Sequence, residues 1–265
     1  MEANKKLKIL CLHGYFNNKE ILKKHVEYYQ FIFIDYVEFH YLNGPIKLDS
    51  SLANPMLLKM FNPPFYCWTT TEKMDTAEEE DEIRSSYKYL YDYIEENGPF
   101  DGCISFSQGT YFSKLINNTN WTDLPSLTHP FRFQILATPK YPPNFFLKDL
   151  SLQAPSLPTL YIFDPSDPFS PTFPISHSTN PYSTTIHHKG HSLPKFTVKY
   201  FKIFFNFLNS QYKSRFQNGK LGEGLSDFCV EFWSDCGVGE MVLDFEVTEE
   251  FWRNLERCRG MISKV

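Results

Sequence analysis

Gly98-Pro-Phe-Asp-Gly-Cys-Ile-Ser-Phe-Ser-Gln-Gly109 carries an apolar run, residues 100–106, straight into Ser105-Phe106-Ser107-Gln108-Gly109. That pentapeptide differs in one residue from G-x-S-x-G, in which a serine occupies a sharp strand-to-helix turn and its hydroxyl stands clear of the sheet edge. Small residues flank such a serine because the helix must pass close to the strand. Gly109 fills the second small position, and Ser105 stands at the first in place of glycine. Ser107 is therefore the candidate nucleophile.

Working outward, KILCL (8–12) is a short apolar run, as expected of a buried parallel strand. Residues 18–29 have helical spacing, and QFIFID (30–35) reads as a second strand. The stretch 43–71 reads as irregular, and 72–97 as a long helix with Ile83, Tyr87, Leu90, Tyr91 and Ile94 on one face, stopped by Gly98-Pro99. Residues 100–106 form the third strand and 108–117 the helix behind the turn. RFQILAT (132–138), PTLYIF (158–163) and TTIHH (184–188) supply three more strands, and 193–212 a closing helix. Strands alternating with helices predict an α/β fold with a mostly parallel sheet covered on both faces. Beyond a Gly-rich linker, 217–224, the pattern changes to two strand-like runs and a helix. The expected organisation is a main domain over 1–212 and a small β-β-α extension over 213–265, packed on that domain or on a partner.

The 265 residues suffice for one sizeable domain, and 42% hydrophobic with 22% charged residues predicts a packed core. A net charge of −5 offers no basic face to a phosphate backbone, so nucleic acid is not an expected partner. The six cysteines, at 11, 67, 103, 229, 236 and 258, show no CxxC and no Cys/His pair at zinc spacing. No metal and no organic cofactor are expected. Cys11 and Cys103 lie in apolar runs, where a free thiol behaves as a small buried hydrophobe and points to a reducing compartment. MEANKKLK enters a strand at once, and no apolar stretch reaches the length of a membrane span. A cytoplasmic protein without signal peptide or membrane span is the expectation.

An activated serine needs a histidine base and a carboxylate to orient it. In the α/β-hydrolase arrangement they follow in the order Ser, Asp, His, on loops behind successive strands. Behind PTLYIF comes Asp164-Pro165-Ser166-Asp167-Pro168, and behind TTIHH comes Lys189-Gly190-His191-Ser192-Leu193-Pro194. Asp167 is preferred over Asp164 because it lies deeper in its loop. His191 is preferred over His187 and His188 because it follows Gly190 beyond the strand. An oxyanion hole needs two backbone N–H groups. Gln108 supplies one, and Tyr15, in the turn His13-Gly14-Tyr15 after the first strand, the other. His13 and Gly14 are read as shaping that turn, and Gly109 as supporting the elbow. LHGYFNN lacks G-x-G-x-x-G, which excludes a dinucleotide cradle there.

LCLHGY (10–15), ENGPFDGCISFSQG (96–109), PTLYIFDPSDP (158–168) and HHKGHSLP (187–194) resemble the FSH family of serine hydrolases, over about residues 7–210. The resemblance implies an α/β-hydrolase fold with Ser107 as nucleophile, Asp167 as orienting acid and His191 as base. It implies hydrolysis of carboxylic esters, small-molecule substrates often with medium or long acyl chains, and places Trp68 and 43–71 near an acyl pocket. The leading reading is a serine carboxylesterase or thioesterase. Two departures stand out: Ser105 and Lys189 occupy positions where the family has glycine. A serine in the crowded turn is expected to strain or re-aim Ser107, and Lys189 adds a charge before the histidine loop. The competing reading is a catalytically idle hydrolase fold acting as a structural subunit, with Trp233, Phe245, Phe251 and Trp252 of the extension as a protein-docking surface.

Overall fold

Leu7–Leu12 (β1) is apolar at every position but Lys8, the composition of a strand with neighbours on both sides. The computed structural model describes residues 5–71, 76–117, 124–140, 157–169, 184–186, 190–193 and 198–216. On one side β1 pairs with Val37–Leu42 (β2), and on the other with Gly102–Phe106 (β5). Phe133–Ala137 (β6), Thr159–Phe163 (β7) and Thr184–Ile186 (β8) extend the sheet beyond β5. All five pairings are parallel, and the order is β2-β1-β5-β6-β7-β8. Every residue of β5, β6 and β7 is buried, which is why these strands are legible as uninterrupted apolar runs.

The second strand is displaced from its expected place. QFIFID ends a helix, Lys19–Ile32 (α1), and the strand is Val37–Leu42. A short apolar run alone cannot tell strand from helix. The buried residues Leu22, Val26, Tyr29 and Phe33 continue a helical stripe through it, and Asn18 caps the start by accepting the Ile21 N–H at 2.9 Å. As an edge strand β2 is only partly buried, so its sequence is mixed.

The stretch 43–71 is likewise more ordered than expected. Ile46–Leu48 (β3) and Phe65–Cys67 (β4) form an antiparallel pair around a short 3-10 turn at Ser50–Leu52 and a helix, Pro55–Met60 (α2). Asn17, just past β1, bridges to Tyr66 of β4, which fixes this excursion to the end of β1. The long helix is Ala77–Asn97 (α3), opened by a capping box between Thr76 and Glu79. It lies against Gln108–Asn117 (α4), and Leu10, Leu12, Cys103, Trp68 and Phe112 complete the core on that side. Cys11, Cys67 and Cys103 are buried free thiols, and burial pushes all three up in pKa, Cys67 to about 12.

The chain divides into two compact units, Met1–Leu193 and Pro194–Val265. In the second, Val198–Phe216 (α5) is the helix expected over 193–212. The expected strands and helix of 217–265, with Trp233, Phe245, Phe251 and Trp252, lie outside the described residues. Among the described residues no helix is long and apolar enough to cross a membrane.

Gly109 sets how closely α4 passes β1. A Cβ there would sit 2.6 Å from the Leu12 carbonyl oxygen and 2.7 Å from that of His13. Both are backbone atoms that cannot swing aside. Alanine would gain about 1 kcal/mol of helix propensity but force a backbone shift costing about 1–3 kcal/mol or more. We therefore expect Gly109→Ala to lower the urea midpoint and to slow any reaction at Ser107. A variant as stable as the parent would contradict this close approach.

Candidate active site

The strand order places a switch point beside β1. The chain leaves β1 for β2 on one side and later returns to β5 on the other. In open α/β sheets the crevice beyond the carboxyl ends of two such strands is where ligands bind. Here the segments leaving β1 and β5 meet: a Cβ on Gly14 would lie 3.0 Å from the Phe106 ring and 3.0 Å from the Ser107 Cβ.

Ser107 sits at this point with φ of 49°, in the left-handed region that a residue with a side chain avoids. Surrounding bonds hold it there. Its N–H donates to the Ala137 carbonyl at 3.0 Å, and its own carbonyl accepts from the Thr110 N–H at 3.0 Å and the Thr110 hydroxyl at 2.6 Å. The first small position of the elbow holds its serine fully buried. Ser105 Oγ lies 2.9 Å from Ser113 Oγ, which in turn donates to the Thr110 carbonyl at 3.1 Å. The Ser105 side chain is thus tied to α4.

His191 Nε2 lies 2.7 Å from Ser107 Oγ, and His191 Nδ1 lies 2.6 Å from Asp167 Oδ2. A carboxylate accepts only, so Nδ1 carries the ring proton and Nε2 is free to accept from the serine hydroxyl. The Asp167 side chain is fully buried, whereas that of His191 keeps 24% exposure. The other oxygen of Asp167 accepts the Phe169 N–H at 2.9 Å, and the Phe169 ring stands edge-on to His191 at 5.1 Å.

Asp164, the alternative carboxylate, has a different task that sequence reading missed. Oδ1 accepts from the Ser166 N–H and hydroxyl, at 2.8 and 2.7 Å, while Oδ2 accepts the Gly190 N–H at 2.7 Å. It ties the loop behind β7 to the loop behind β8, where Gly190 adopts φ of 65° one residue before His191. The signal was an Asp-Pro-Ser turn, but its partner lies 26 positions away. His187, His188 and Lys189 lie outside the described residues.

On the β1 side, His13 is fully buried and donates from Nδ1 to the Gly14 carbonyl at 2.7 Å while Nε2 accepts the Gly44 N–H at 2.8 Å. Burial pushes its pKa down to about 4, partly opposed by the bond to Gly14, so the ring is neutral. Tyr15 follows in the same turn, half-exposed. Gln108 opens α4, and its backbone N–H is one of the first four that lack an intrahelical acceptor. The helix N-terminus behind it favours negative charge. Trp68 is fully buried, and its indole N–H donates to the His13 carbonyl at 2.9 Å. Among the described residues no group of three or more His, Cys, Asp or Glu side chains is placed to hold a metal ion.

The chain has relatives among known proteins. A family model described as serine hydrolase (FSH1) matches residues 1–201, and the chain belongs to that family. It is 30% identical over 184 residues to an uncharacterized hydrolase of Schizosaccharomyces pombe, covering 63% of this chain and 42% of that one. The chain thus spans less than half the length of that relative. Esterase CG5412 of Drosophila melanogaster is 24% identical over 264 residues, 94% of this chain and 91% of the other. Among solved structures, acyl-protein thioesterase 2 of Zea mays superposes with a TM-score of 0.50 at 13% identity, over 80% of this chain and 96% of that one. The likeness shows the α/β-hydrolase fold.

Two neutral histidines, His13 fully buried and His25 partly buried, make stability depend on pH. Like His13, His25 is pushed down to about 4 by burial, and its Nδ1 is buried without a hydrogen-bond partner. An unfolded chain protonates near 6.5, whereas the folded one resists until about 4. The contribution is therefore complete above 6.5 and is lost as pH falls toward 4, about 2–3 kcal/mol apiece by pH 4.5. We expect a lower urea midpoint at pH 4.5 than at pH 7, with the gap narrowed in His25→Phe. An unchanged gap in that variant would remove His25 from the explanation.

Proposed function

We propose that this member of the serine hydrolase family cleaves carboxylic esters or thioesters through an acyl-enzyme on Ser107. The observation that carries the reading is the unbroken run of hydrogen bonds from Asp167 through His191 to Ser107, at an elbow on the carboxyl end of β5.

Ser107 Oγ attacks the acyl carbonyl while His191 Nε2 takes the hydroxyl proton. Asp167 holds the ring in the required tautomer and stabilises the imidazolium that forms. The carbonyl oxygen becomes negative and accepts from the backbone N–H groups of Tyr15 and Gln108, with the N-terminus of α4 adding to the stabilisation. As the intermediate collapses, His191 returns its proton to the departing alcohol or thiol, leaving an ester on Ser107. A water molecule, deprotonated by His191, then attacks that ester, and the carboxylic acid leaves with the serine hydroxyl restored. The partial exposure of His191 lets that water approach. The apolar rings of Phe106 and Phe169 beside His191 suit an uncharged, hydrophobic acyl group. The name of the Drosophila relative, an esterase, agrees with this substrate class.

The idle-scaffold reading drew on Ser105, Lys189 and the extension; the bonded place of the Ser105 hydroxyl supports the active reading, and Lys189 lies outside the described residues. The protein-docking surface it invoked falls on residues outside those described.

The test is steady-state hydrolysis of p-nitrophenyl esters of graded chain length. Ser107→Ala is expected to abolish turnover, and Asp167→Asn to lower kcat about 10³–10⁴-fold by favouring the wrong histidine tautomer. Both should keep the parent circular-dichroism spectrum. Full activity in Ser107→Ala, or no hydrolysis of any ester or thioester by the parent, would overturn the proposal.

A further inference from the structure

The two N–H groups assigned to the oxyanion come from residues 93 positions apart, Tyr15 behind β1 and Gln108 behind β5. Such a pair stabilises developing charge only if both donors are held in place before the charge appears. Backbone donation asks nothing of the Gln108 side chain, yet that side chain is buried and hydrogen-bonded through both its oxygen and its nitrogen. Its Oε1 accepts the Trp68 N–H at 2.8 Å, and its Nε2 donates to the Thr69 carbonyl at 2.8 Å. The amide thus bridges the Trp68 N–H and the Thr69 carbonyl of the 68–69 backbone.

The same segment grips the other half of the hole. The Trp68 indole N–H donates to the His13 carbonyl at 2.9 Å, and the ring lies between His13 and Phe112 at centroid distances of 5.7 and 5.6 Å. A third set of bonds fastens the segment to α3. Glu82 Oε1 accepts the Thr69 hydroxyl at 2.6 Å and the Thr70 N–H at 2.7 Å, and Oε2 accepts the Thr70 hydroxyl at 2.7 Å. Hydrogen bonds to an ionised carboxylate are the strong ones.

We propose that residues 68–70, anchored on Glu82, are a strap that sets the position of the two oxyanion donors relative to each other. Trp68, Gln108 (through its side chain) and Glu82 are then positioning residues, and the inference rests on the ester-hydrolase reading above. One strap holds both donors, so loosening it at any point weakens transition-state binding and leaves ground-state binding and the His191 proton transfer alone.

Four variants test this: Trp68→Phe, which removes only the indole N–H; Gln108→Met, which removes the amide but keeps the backbone N–H; Glu82→Ala; and Glu82→Gln, which keeps an acceptor oxygen. Each of the first three is expected to lower kcat on a short ester about 10–100-fold, with KM within about threefold and the acidic midpoint of the pH–rate profile unmoved. Glu82→Gln should restore most of the loss. Trp68→Phe combined with Gln108→Met should be far less harmful than the product of the two, because both act through one strap. Thr70→Val, at the exposed end, removes a single bond and serves if the buried variants misfold; a several-fold loss of kcat is expected. Folded variants with parental kcat, or with KM and the pH midpoint displaced together, would overturn the strap. Hydrogen exchange gives a readout independent of turnover: Trp68→Phe should speed exchange in peptides covering both 10–17 and 105–112 while one covering β7 is unchanged, and exchange altered in only one of the two would also overturn it. A parent without esterase activity would count against the function alone, since the coupled exchange would still support the strap.

Discussion

The close passage of α4 over the end of β1 is the constraint on which the site depends. Gly109 lies against the carbonyls of Leu12 and His13, with no room for a Cβ, and this contact brings the turn after β1 beside the turn after β5. Ser107 is held at positive φ by bonds to Ala137 and Thr110, so β6 and the first turn of α4 both bear on one strained residue. Strain of this kind costs on the order of 1–3 kcal/mol. The all-buried strands β5, β6 and β7 are what make such a cost tolerable, since each fully buried Leu, Ile or Phe contributes about 1.5–3 kcal/mol.

The acid–base half of the site is built on separate loops and then joined. Asp167 and His191 follow β7 and β8, two neighbouring parallel strands, and their loops emerge at the same edge of the sheet as the elbow. Asp164 fastens those loops together, leaving Asp167 to face the histidine. Two carboxylates three residues apart thus divide into a structural brace and a partner for the base. Which is which follows from the direction each side chain takes out of the turn.

Much of this was legible in the chain because it rests on local signals. The buried strands announce themselves as apolar runs, α4 was expected at its observed bounds, and the order of Ser107, Asp167 and His191 singled out the three residues that the structure brings into hydrogen-bonding distance. What escaped has physical reasons. QFIFID reads as a strand because four apolar residues in six look alike in either conformation, and only the longer stripe through Leu22, Val26 and Tyr29 betrays the helix. The 43–71 excursion was read as irregular because its strands are three residues long and owe their existence to pairing with each other and with Asn17. Nothing local signals the partner of the Trp68 indole N–H, which is a carbonyl 55 positions away. Ser105 looked like a fault in the elbow because the hydroxyl that receives it, on Ser113, sits in the next helix. For the 43–71 excursion and for Trp68 the missing information was a contact between segments remote in sequence.

The central claim is that Ser107 is an activated nucleophile, and the most direct measurement is covalent labelling with a fluorophosphonate, read by intact mass and peptide mapping. The account predicts a single adduct, on the peptide carrying Ser107, absent from Ser107→Ala and formed far more slowly when His191 is replaced by alanine. A folded protein that takes up no label, or takes it up on another residue, would contradict it.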